Sequence, residues 1–274
     1  MKAIKLILLG VSLFSILPLG AQVFDKPRSL AEADSLDRVQ YRVLYQLDFI
    51  SDPTDREYVT QDQVRLDIGT QISKVYSLKH YQADSAATPL IETGQFPRKI
   101  VTDVVPPMIL YRGYPKTQDI TTDYRLPAGA PVMSYVEPKP TLQWQVKPEK
   151  REILGHSCQR AEVAFGGRQW IAWFTPEIPL SEGPYKFGGL PGLILEVADS
   201  EGDYRYTCIG IANLSAGENI VRWKWNQRPT TRKELEKIIV QLYANPEQAI
   251  KALGGRMGFK GDPMLNLPYN PIEK

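Results

Sequence analysis

Apolar and polar residues alternate along four segments of this chain, and that alternation limits the folds open to it. In the clearest segment only Leu44 breaks the pattern, and the apolar positions are Val39, Tyr41, Val43, Tyr45, Leu47 and Phe49. The same period of two occurs over residues 64–68, 142–146 and 221–225. Successive side chains of a strand point to opposite faces, so each segment predicts a strand with one buried face. Strands so far apart in sequence favour an antiparallel sheet with one face exposed to water.

Residues 158–175 predict a β-hairpin, because two apolar-rich runs flank Gly166 and Gly167. Glycine tolerates the positive φ angles of a two-residue hairpin turn. The turn fixes three cross-strand pairs: Phe165 with Arg168, Val163 with Trp170, and Arg160 with Trp173. In the last pair the guanidinium is predicted to stack on the indole. A second hairpin is predicted from residues 192–198 and 203–211.

Helix signals occur only late in the chain. Thr231, with Glu234 three residues later, forms a capping box. An apolar stripe at helical spacing follows it, at Leu235, Ile238, Ile239 and Leu242. A shorter helix is predicted to begin after Asn245, with proline at its first position, and to end at the glycine pair 254–255. The predicted fold is therefore mainly β (α+β), a curved antiparallel sheet or half-barrel with one or two C-terminal helices packed on it.

The first 21 residues have the pattern of a cleavable signal peptide. Lys2 and Lys5 give a basic start, an apolar run over residues 6–17 follows, and Ala21 offers a small residue at a cleavage site before Gln22. The run is shorter than the roughly 20 apolar residues of a membrane span, and no cysteine near the cleavage site offers a lipid anchor. We therefore expect an exported protein without a transmembrane or lipid anchor, in the periplasm or outside the cell. Residues 22–274 are expected to form a single β-rich domain.

Loss of that leader changes the charge balance. The chain has 33 lysine and arginine residues and 31 aspartate and glutamate residues. The leader holds Lys2 and Lys5 and no acidic residue, so the remaining chain has 31 residues of each sign. A nucleic-acid-binding protein is expected to keep a basic excess that neutralises phosphates. The composition therefore argues against a nucleic-acid partner.

The sequence favours a non-catalytic protein. Its two histidines, His80 and His156, are far apart and have no metal-ligand spacing to a cysteine. There is no GxSxG motif and no glycine-rich phosphate-binding loop. His156 and Cys158 would share one face of a strand, but alternation alone does not supply the geometry for proton transfer. No cofactor or metal is predicted, and a hydrolase that uses carboxylates is the third functional hypothesis.

Two interpretations of the cysteines stay open. Cys158 and Cys208 form an even pair in a chain expected to reach an oxidising compartment, which favours a disulfide. If the four predicted hairpin strands form a simple meander, the two cysteines lie on its outer strands, about 14 Å apart. A disulfide requires Cα atoms within roughly 7 Å of each other. The meander therefore favours unpaired thiols.

Residues 189–194 spell GLPGLI, and this run resembles the signature of the GLPGLI family of exported bacterial proteins. Further matching residues lie at 153–161, 167–168, 172–175, 177–179, 183–184 and 269–273. The chain departs from the family at His156, where an aromatic residue is usual. The resemblance is strong over residues 150–211. It implies an exported, β-rich protein from a family without an established activity.

The motif has a structural and a functional interpretation. In the structural one, Pro191 and Gly192 suit a type II turn over residues 190–193, and the motif residues are Gly188, Gly189, Leu190, Pro191, Gly192, Leu193 and Ile194. In the functional one, residues 176–192 form a binding loop, and the binding residues are Arg168, Trp173, Glu177, Tyr185, Lys186 and Phe187. Turn and core requirements explain each residue of the hexapeptide, which favours the structural interpretation.

Two functional classes follow. The first is a non-catalytic binding protein whose curved sheet and helix shelter an apolar ligand or lipid, as in carrier proteins of similar shape. It predicts an apolar cavity open to solvent. The second is an interaction module that works with an envelope protein of outer-membrane or secreted machinery. It predicts an exposed aromatic patch around residues 176–192.

Overall fold

The computed structural model describes residues 26–95, 106–127, 129–214, 217–254 and 266–274. The predicted signal peptide, residues 1–21, lies outside the described residues. The strands, in chain order, are β1 (Ala33–Arg38), β2 (Tyr41–Phe49), β3 (Thr60–Ile68), β4 (Ser73–Ser77), β5 (Met108–Arg112), β6 (Asp119–Arg125), β7 (Val132–Pro138), β8 (Gln145–Ile153), β9 (His156–Phe165), β10 (Arg168–Thr175), β11 (Leu193–Asp199), β12 (Tyr204–Asn213), β13 (Asn219–Trp223) and β14 (Gln227–Pro229). The helices are α1 (Leu78–Glu92), α2 (Arg232–Ala244) and α3 (Pro246–Ala252).

Twelve of these strands form one large sheet. Its order is β14-β7-β6-β5-β4-β3-β2-β12-β11-β10-β9-β8. Neighbouring strands run antiparallel, except that β14 pairs with β7 in parallel. The described strands do not close this sheet into a barrel, and β1 and β13 form a separate two-stranded ribbon. The expected mainly β fold, an open sheet with small helices toward the C-terminus, is confirmed.

Both predicted hairpins are confirmed. β9 and β10 pair in the predicted register around Gly166 and Gly167, whose φ angles are +57° and +73°. β11 and β12 form the second hairpin, and β9 to β12 follow one another in the sheet as the meander required. Cys158 and Cys208 lie on the outer strands of that meander as free, buried thiols.

The cation predicted to stack on Trp173 is supplied by a different strand. Arg151 of β8 places its guanidinium carbon 4.2 Å from the ring centroid of Trp173. Arg160 instead pairs with Glu149 and Glu162. Its guanidinium turns to these two carboxylates because both lie within reach, one on the neighbouring strand and one on its own.

Two of the predicted strands are displaced in sequence. β8 begins only after Trp144, so Leu142 lies outside it, and β13 ends before Trp225. Both indoles instead anchor irregular backbone. Trp144 Nε1 donates to the carbonyl of Gly188 (2.9 Å), and Trp225 Nε1 donates to the carbonyl of Ser29 (2.7 Å). The alternating pattern predicted that these two aromatic residues face the protein interior. It could not predict which backbone segments they would contact there.

The predicted C-terminal helices are confirmed. Thr231 caps α2, with its hydroxyl accepting from the Glu234 N–H and the Glu234 carboxylate accepting from the Thr231 N–H. The buried face of α2 consists of Leu235, Ile239 and Leu242, and it packs against β7. α3 follows directly, with Asn245 as its cap.

Helix α1 departs from the expectation that helices occur only late in the chain. Its buried residues are His80, Asp84 and Ala87, so it lacks the apolar stripe by which an amphipathic helix is identified. Ser77 caps it, with a hydroxyl that accepts from the His80 N–H. No helix in the described ranges has both the length and the apolar character needed to cross a membrane.

The middle of the large sheet is covered on both faces. Its core face carries the main apolar cluster, which includes Val43, Leu66 and Leu110, and α2 lies on this side. The opposite face carries buried charged residues such as Asp67 and Lys74. We call it the ribbon face because β13 lies across it, and α1 packs beside it on β3 and β4.

Candidate functional site

The functional interpretation of the motif makes the segment between β10 and β11 a binding loop, but the aromatic side chains of this segment are buried. Phe187 is fully buried, and its ring centroid lies 4.7 Å from that of Trp170 and 5.9 Å from that of Phe165. Tyr185 is buried as well. The exposed aromatic patch expected of an interaction module is therefore not formed by Tyr185 or Phe187, because core packing holds both rings.

The hexapeptide connects this segment to the sheet by backbone hydrogen bonds. The Leu193 N–H donates to the carbonyl of Ile178 (3.0 Å), and the Ile194 N–H donates to the carbonyl of Glu182 (3.0 Å). The predicted type II turn is wrong. The Gly192 N–H donates to the carbonyl of Leu190 (2.8 Å), which makes a tighter three-residue turn. Leu193 is free to bond elsewhere because the turn closes one residue earlier.

Arg168, predicted as a binding residue, lies at the centre of a buried ion cluster. Its Nη1 lies 2.6 Å from Asp199 Oδ2 and 2.8 Å from Asp203 Oδ2. Its Nη2 donates to Asn270 Oδ1 and to the carbonyl of Pro271, both at 2.7 Å. The two aspartates and Glu201 are close enough together to hold a metal ion, but they are already paired with three cations, namely Arg168, Arg56 and Lys274. The cluster therefore fixes residues 270–271 to the β11–β12 turn.

Trp173 and Glu177 lie away from the other predicted residues, near the surface. Glu177 Oε2 is 2.7 Å from His156 Nδ1, and Glu177 Oε1 accepts from the Ser157 N–H (3.1 Å). These two contacts, the histidine first, lower the pKa of Glu177. Burial raises the pKa of Cys158 to about 11, and its thiol donates to the backbone carbonyl of His156. The geometry does not assemble a Cys–His nucleophile.

The remaining two predicted residues, Tyr185 and Lys186, line a cavity. This cavity has a volume of about 150 Å³ and lies between α2, the core face of β5 to β7, and residues 269–273. Its most frequent wall residue is tyrosine, at Tyr124, Tyr135, Tyr185, Tyr204, Tyr243 and Tyr269. We call it the tyrosine pocket. Apolar residues such as Met108, Leu235 and Ile239 complete the wall.

Each tyrosine is positioned by a different part of the fold. Tyr124 points to the core face of β6, and the ring of Tyr243 at the end of α2 stacks on Tyr269, with centroids 4.4 Å apart. Burial raises the pKa of Tyr124 and Tyr204 well above the usual value and that of Tyr269 to about 12. All three phenols are therefore neutral at physiological pH and offer hydroxyl groups rather than charge.

A network of paired charges lies at one end of the tyrosine pocket. Lys186 Nζ lies 2.6 Å from Glu137 Oε1 and 2.7 Å from Glu273 Oε1. Arg232 Nη2 lies 2.7 Å from Glu273 Oε2, and the Tyr185 hydroxyl donates to Glu273 as well. Burial alone would raise the pKa of Glu273, but Lys186, Tyr185 and Arg232 outweigh it and hold the pKa below its ordinary value of 4.5.

This network predicts acid sensitivity. Because the folded-state pKa of Glu273 lies below its unfolded value, the carboxylate stabilises the fold above about pH 4.5, and the contribution is lost as pH falls through the folded pKa. Urea unfolding at pH 7, 5, 4 and 3 should show wild-type stability declining over the acid range. Glu273→Gln should be about 1–3 kcal/mol less stable at pH 7 and decline less on acidification, whereas the exposed control Glu247→Gln should follow the wild type. Parallel curves for all three proteins would contradict the assignment.

The sequence did not predict the tyrosine pocket. Tyr124 and Tyr135 fit ordinary strand alternation, and Arg232 lies in the first turn of an ordinary helix. One signal did point there, because the matching residues 269–273 at the end of the chain lie in the pocket wall. Of the six predicted binding residues, the structure brings only Tyr185 and Lys186 to this site.

Comparisons with known proteins add a family match and a likeness in fold. A family model described as "Protein of unknown function (Porph_ging)" matches residues 167–196, from the hairpin turn to β11. Two solved structures of PNGF-II, in different space groups, are each 12% identical to this chain, with TM-scores of 0.50 and 0.49. Each alignment covers 75% of this chain but only 34% and 33% of the other, so this chain spans about a third of those proteins' length. At this identity the likeness concerns the fold alone. No curated protein matches the sequence.

Proposed function

We propose that this chain is an exported, non-catalytic binding protein of the GLPGLI family that holds an apolar ligand in the tyrosine pocket. The observation that carries the proposal is the aromatic cavity between α2 and the sheet. Its charged wall residues Lys186, Arg232, Glu236 and Glu273 are all ion-paired, and Glu273 joins Lys186 to Arg232. Ion pairing fixes the orientation of these side chains, offsets their charges and keeps each group in its charged form. Such groups do not exchange protons readily near neutral pH, which suits binding rather than acid–base catalysis.

The volume of the pocket restricts the size of the ligand. A cavity of about 150 Å³ is the size that accommodates benzene in an engineered protein core. A smaller apolar cavity of about 40 Å³ adjoins it and shares Pro106, Met108, Tyr185 and Ile272. A complete acyl chain is too long for this space. The ligand, or the part of it that is buried, is therefore about the size of one ring.

Charge restricts the ligand further. The network at the pocket contains three carboxylates, those of Glu137, Glu236 and Glu273, and two cations, Lys186 and Arg232. The local charge is therefore one negative. An anionic head group would be repelled, whereas a neutral hydroxyl or an ammonium group near the tyrosine rings is favoured.

A filling variant tests the site. Benzyl alcohol and benzylamine should bind saturably in calorimetric titrations, and benzoate should not. Ile239→Phe adds bulk inside the pocket and should weaken benzyl alcohol binding at least tenfold. Val240→Phe is a matched control, because Val240 is the neighbouring residue of the same helix and is 58% exposed.

Two results would count against the proposal. The first is the absence of saturable benzyl alcohol binding to the wild-type protein. The second is equal affinity in the two phenylalanine variants. If Ile239→Phe does not fold, the ring signals of Tyr124 and Tyr135 in the wild type should shift on titration with benzyl alcohol, and unchanged signals would give the same negative answer.

Export is tested separately. The leader pattern places the cleavage site before Gln22, so the mature protein recovered from the cell envelope or the medium should begin at or within two residues of Gln22. Intact mass and N-terminal sequencing would show this directly. Recovery of the uncleaved chain from the cytoplasm alone would contradict the proposed export and leave the ligand test unaffected.

A further inference from the structure

The ribbon face carries a row of buried polar residues that the tyrosine pocket does not use. Asp67 on β3 lies directly opposite Lys74 on β4, and Lys74 lies opposite Tyr111 on β5. All three are at most 3% exposed. Removing charged groups from water costs several kcal/mol each unless they are well paired. The contacts of Lys74 therefore determine whether its charge is already neutralised within the protein or can pair with a ligand.

Lys74 is held by neutral groups. Its Nζ donates to the carbonyl of Val221 (2.8 Å) and lies 3.3 Å from the ring centroid of Trp223 and 4.7 Å from that of Tyr76. Among the described residues no carboxylate lies within ion-pair distance of this amine. Burial lowers the pKa of Lys74 to about 7, although Asp67 and Asp123 act in the opposite direction.

The nearby carboxylates are committed to other cations. Asp67 Oδ1 lies 2.7 Å from Arg42 and 3.1 Å from Arg65, and Asp67 Oδ2 accepts from the Tyr76 hydroxyl. Glu218 bonds the same two arginines. Across the sheet, Asp123 is neutralised by a bidentate contact with Arg222 of β13, and burial keeps the neighbouring phenol of Tyr111 neutral by raising its pKa.

These contacts leave one positive charge in excess. Arg42, Arg65 and protonated Lys74 are opposed by only Asp67 and Glu218. A cavity of about 320 Å³ opens beside them, with Lys74, Arg65, Tyr76, Tyr81 and Trp223 among its wall residues. We call it the lysine pocket. Its volume is about twice that of a cavity that accommodates benzene, which corresponds to a two-ring system.

The walls of the lysine pocket suit a flat ring. The ring planes of Tyr81 and Trp223 are inclined at 28° with centroids 6.2 Å apart, and the ring of Tyr76 stands at 84° to that of Trp223. Such surfaces offer offset-stacked and edge-on contacts to an aromatic ligand. Ser85, Thr88 and Asn219 add neutral polar groups at the wall.

We propose that the lysine pocket is a second binding site, which takes a bicyclic aromatic monoanion with its ring against Tyr76, Tyr81 and Trp223 and its carboxylate paired with Lys74. The site lies on the opposite face of the sheet from the tyrosine pocket and has the opposite local charge. The two sites therefore select ligands of different classes, and either can exist without the other.

The proposal predicts a linkage between binding and protonation. A bound carboxylate favours the ammonium form and so raises the pKa of Lys74 above its value in the free protein. Below about pH 7 the amine is already protonated, and affinity should be nearly independent of pH. Above that pH, binding must take up a proton, so affinity should fall by up to tenfold per pH unit until the pKa of the bound state is passed.

The test uses 2-naphthoate as the anion and 2-naphthylmethanol as its neutral counterpart. Titration calorimetry at pH 6, 7 and 8, in two buffers of different ionisation enthalpy, measures affinity and proton uptake together. We expect 2-naphthoate to bind at least tenfold more tightly than the alcohol at pH 6 and to take up more protons at pH 8 than at pH 6. Equal affinity for the two probes, or no proton uptake at pH 8, would overturn the proposal.

Variants assign the site. Lys74→Met should abolish the proton uptake and weaken 2-naphthoate binding at least tenfold, whereas Lys237→Met, an exposed lysine of α2, should change neither. Ile239→Phe should also bind 2-naphthoate normally, because it fills the other pocket. If Lys74→Met does not fold, Tyr81→Leu takes its place as the test variant, because Tyr81 is only half-buried and its replacement should disturb the fold less. Tyr81→Leu should bind 2-naphthoate more weakly but still take up a proton on binding. Wild-type affinity in whichever variant folds would overturn the assignment.

Discussion

Replacing Arg168 with methionine is expected to lower the free energy of unfolding by about 3–5 kcal/mol, because breaking a buried ion pair leaves uncompensated charge behind. The side chain of Arg168 is 1% exposed, and those of its partners Asp199 and Asp203 are 0% and 5% exposed. Methionine fills much of the volume but supplies no donor to either carboxylate. Urea denaturation at pH 7 measures the difference.

Two further variants separate charge from geometry. Arg168→Lys keeps the charge but loses the planar fork that reaches four acceptors at once, so its stability should lie between wild type and Arg168→Met. Arg205→Met removes an ion pair with Glu196 on the adjacent strand, where the arginine is 52% exposed. Exposed pairs contribute about 1 kcal/mol or less. If Arg205→Met costs as much as Arg168→Met, burial is not the source of the effect.

Replacement of Arg168 should also weaken ligand binding in the tyrosine pocket. The guanidinium holds Asn270 and Pro271, and these residues precede Glu273 in the pocket wall. Releasing them removes part of the wall without touching the tyrosines on the sheet. Benzyl alcohol affinity in Arg168→Lys should therefore fall more than in Arg205→Met, at protein concentrations and pH where both remain folded.

Gly192→Ala is the second substitution with a large expected effect, a loss of about 3 kcal/mol from backbone strain and overpacking combined. Gly192 has a φ of +153°, and a Cβ atom built on it would lie 2.0 Å from the carbonyl oxygen of Thr175. That oxygen belongs to the backbone, so relief requires β10 or the turn to move. Thermal unfolding followed by circular dichroism reports the change.

Gly210→Ala provides the matched control. Gly210 lies in β12, has no positive φ, and a Cβ atom there would meet nothing within 4 Å. Alanine at such a position should change stability by less than about 1 kcal/mol. Similar losses in the two variants would mean that the close contact with Thr175 does not explain why glycine stands at this place in the motif.

The sequence predicted those elements of the fold that depend on interactions between residues close together in the chain. The β9–β10 hairpin depends on two glycines, and the start of α2 depends on Thr231 and Glu234, so both could be located from sequence. β1 and α1 were missed for a different reason. β1 is stabilised by pairing with β13, far away in the chain, and α1 buries polar residues such as Asp84. Neither leaves a periodic apolar signal.

The candidate site was harder to predict because it depends on strand order. The tyrosine pocket needs β6, β7, α2 and residues 269–273 side by side, and no local pattern records that arrangement. Arg168 was predicted as a binding residue, but its partners come from the next hairpin and from the chain end, which the sequence does not reveal. Lys74 carried no signal at all, since a lysine in an alternating strand is expected to face water.

The pairing of β2 with β12 has a consequence for how this protein folds. It places residues 41–49 against residues 204–213 in the middle of the large sheet. If the chain is divided near residue 140, β2 lies in the first half and β12 in the second. Neither half can then complete the hydrogen bonds of the sheet alone, so an isolated half would present β2 or β12 as an open edge prone to aggregate. Bringing such distant segments together costs loop-closure entropy before their own contacts can form, which slows folding. The two halves should therefore refold as one slow cooperative unit, and fragments divided near residue 140 should recover the structure only when mixed.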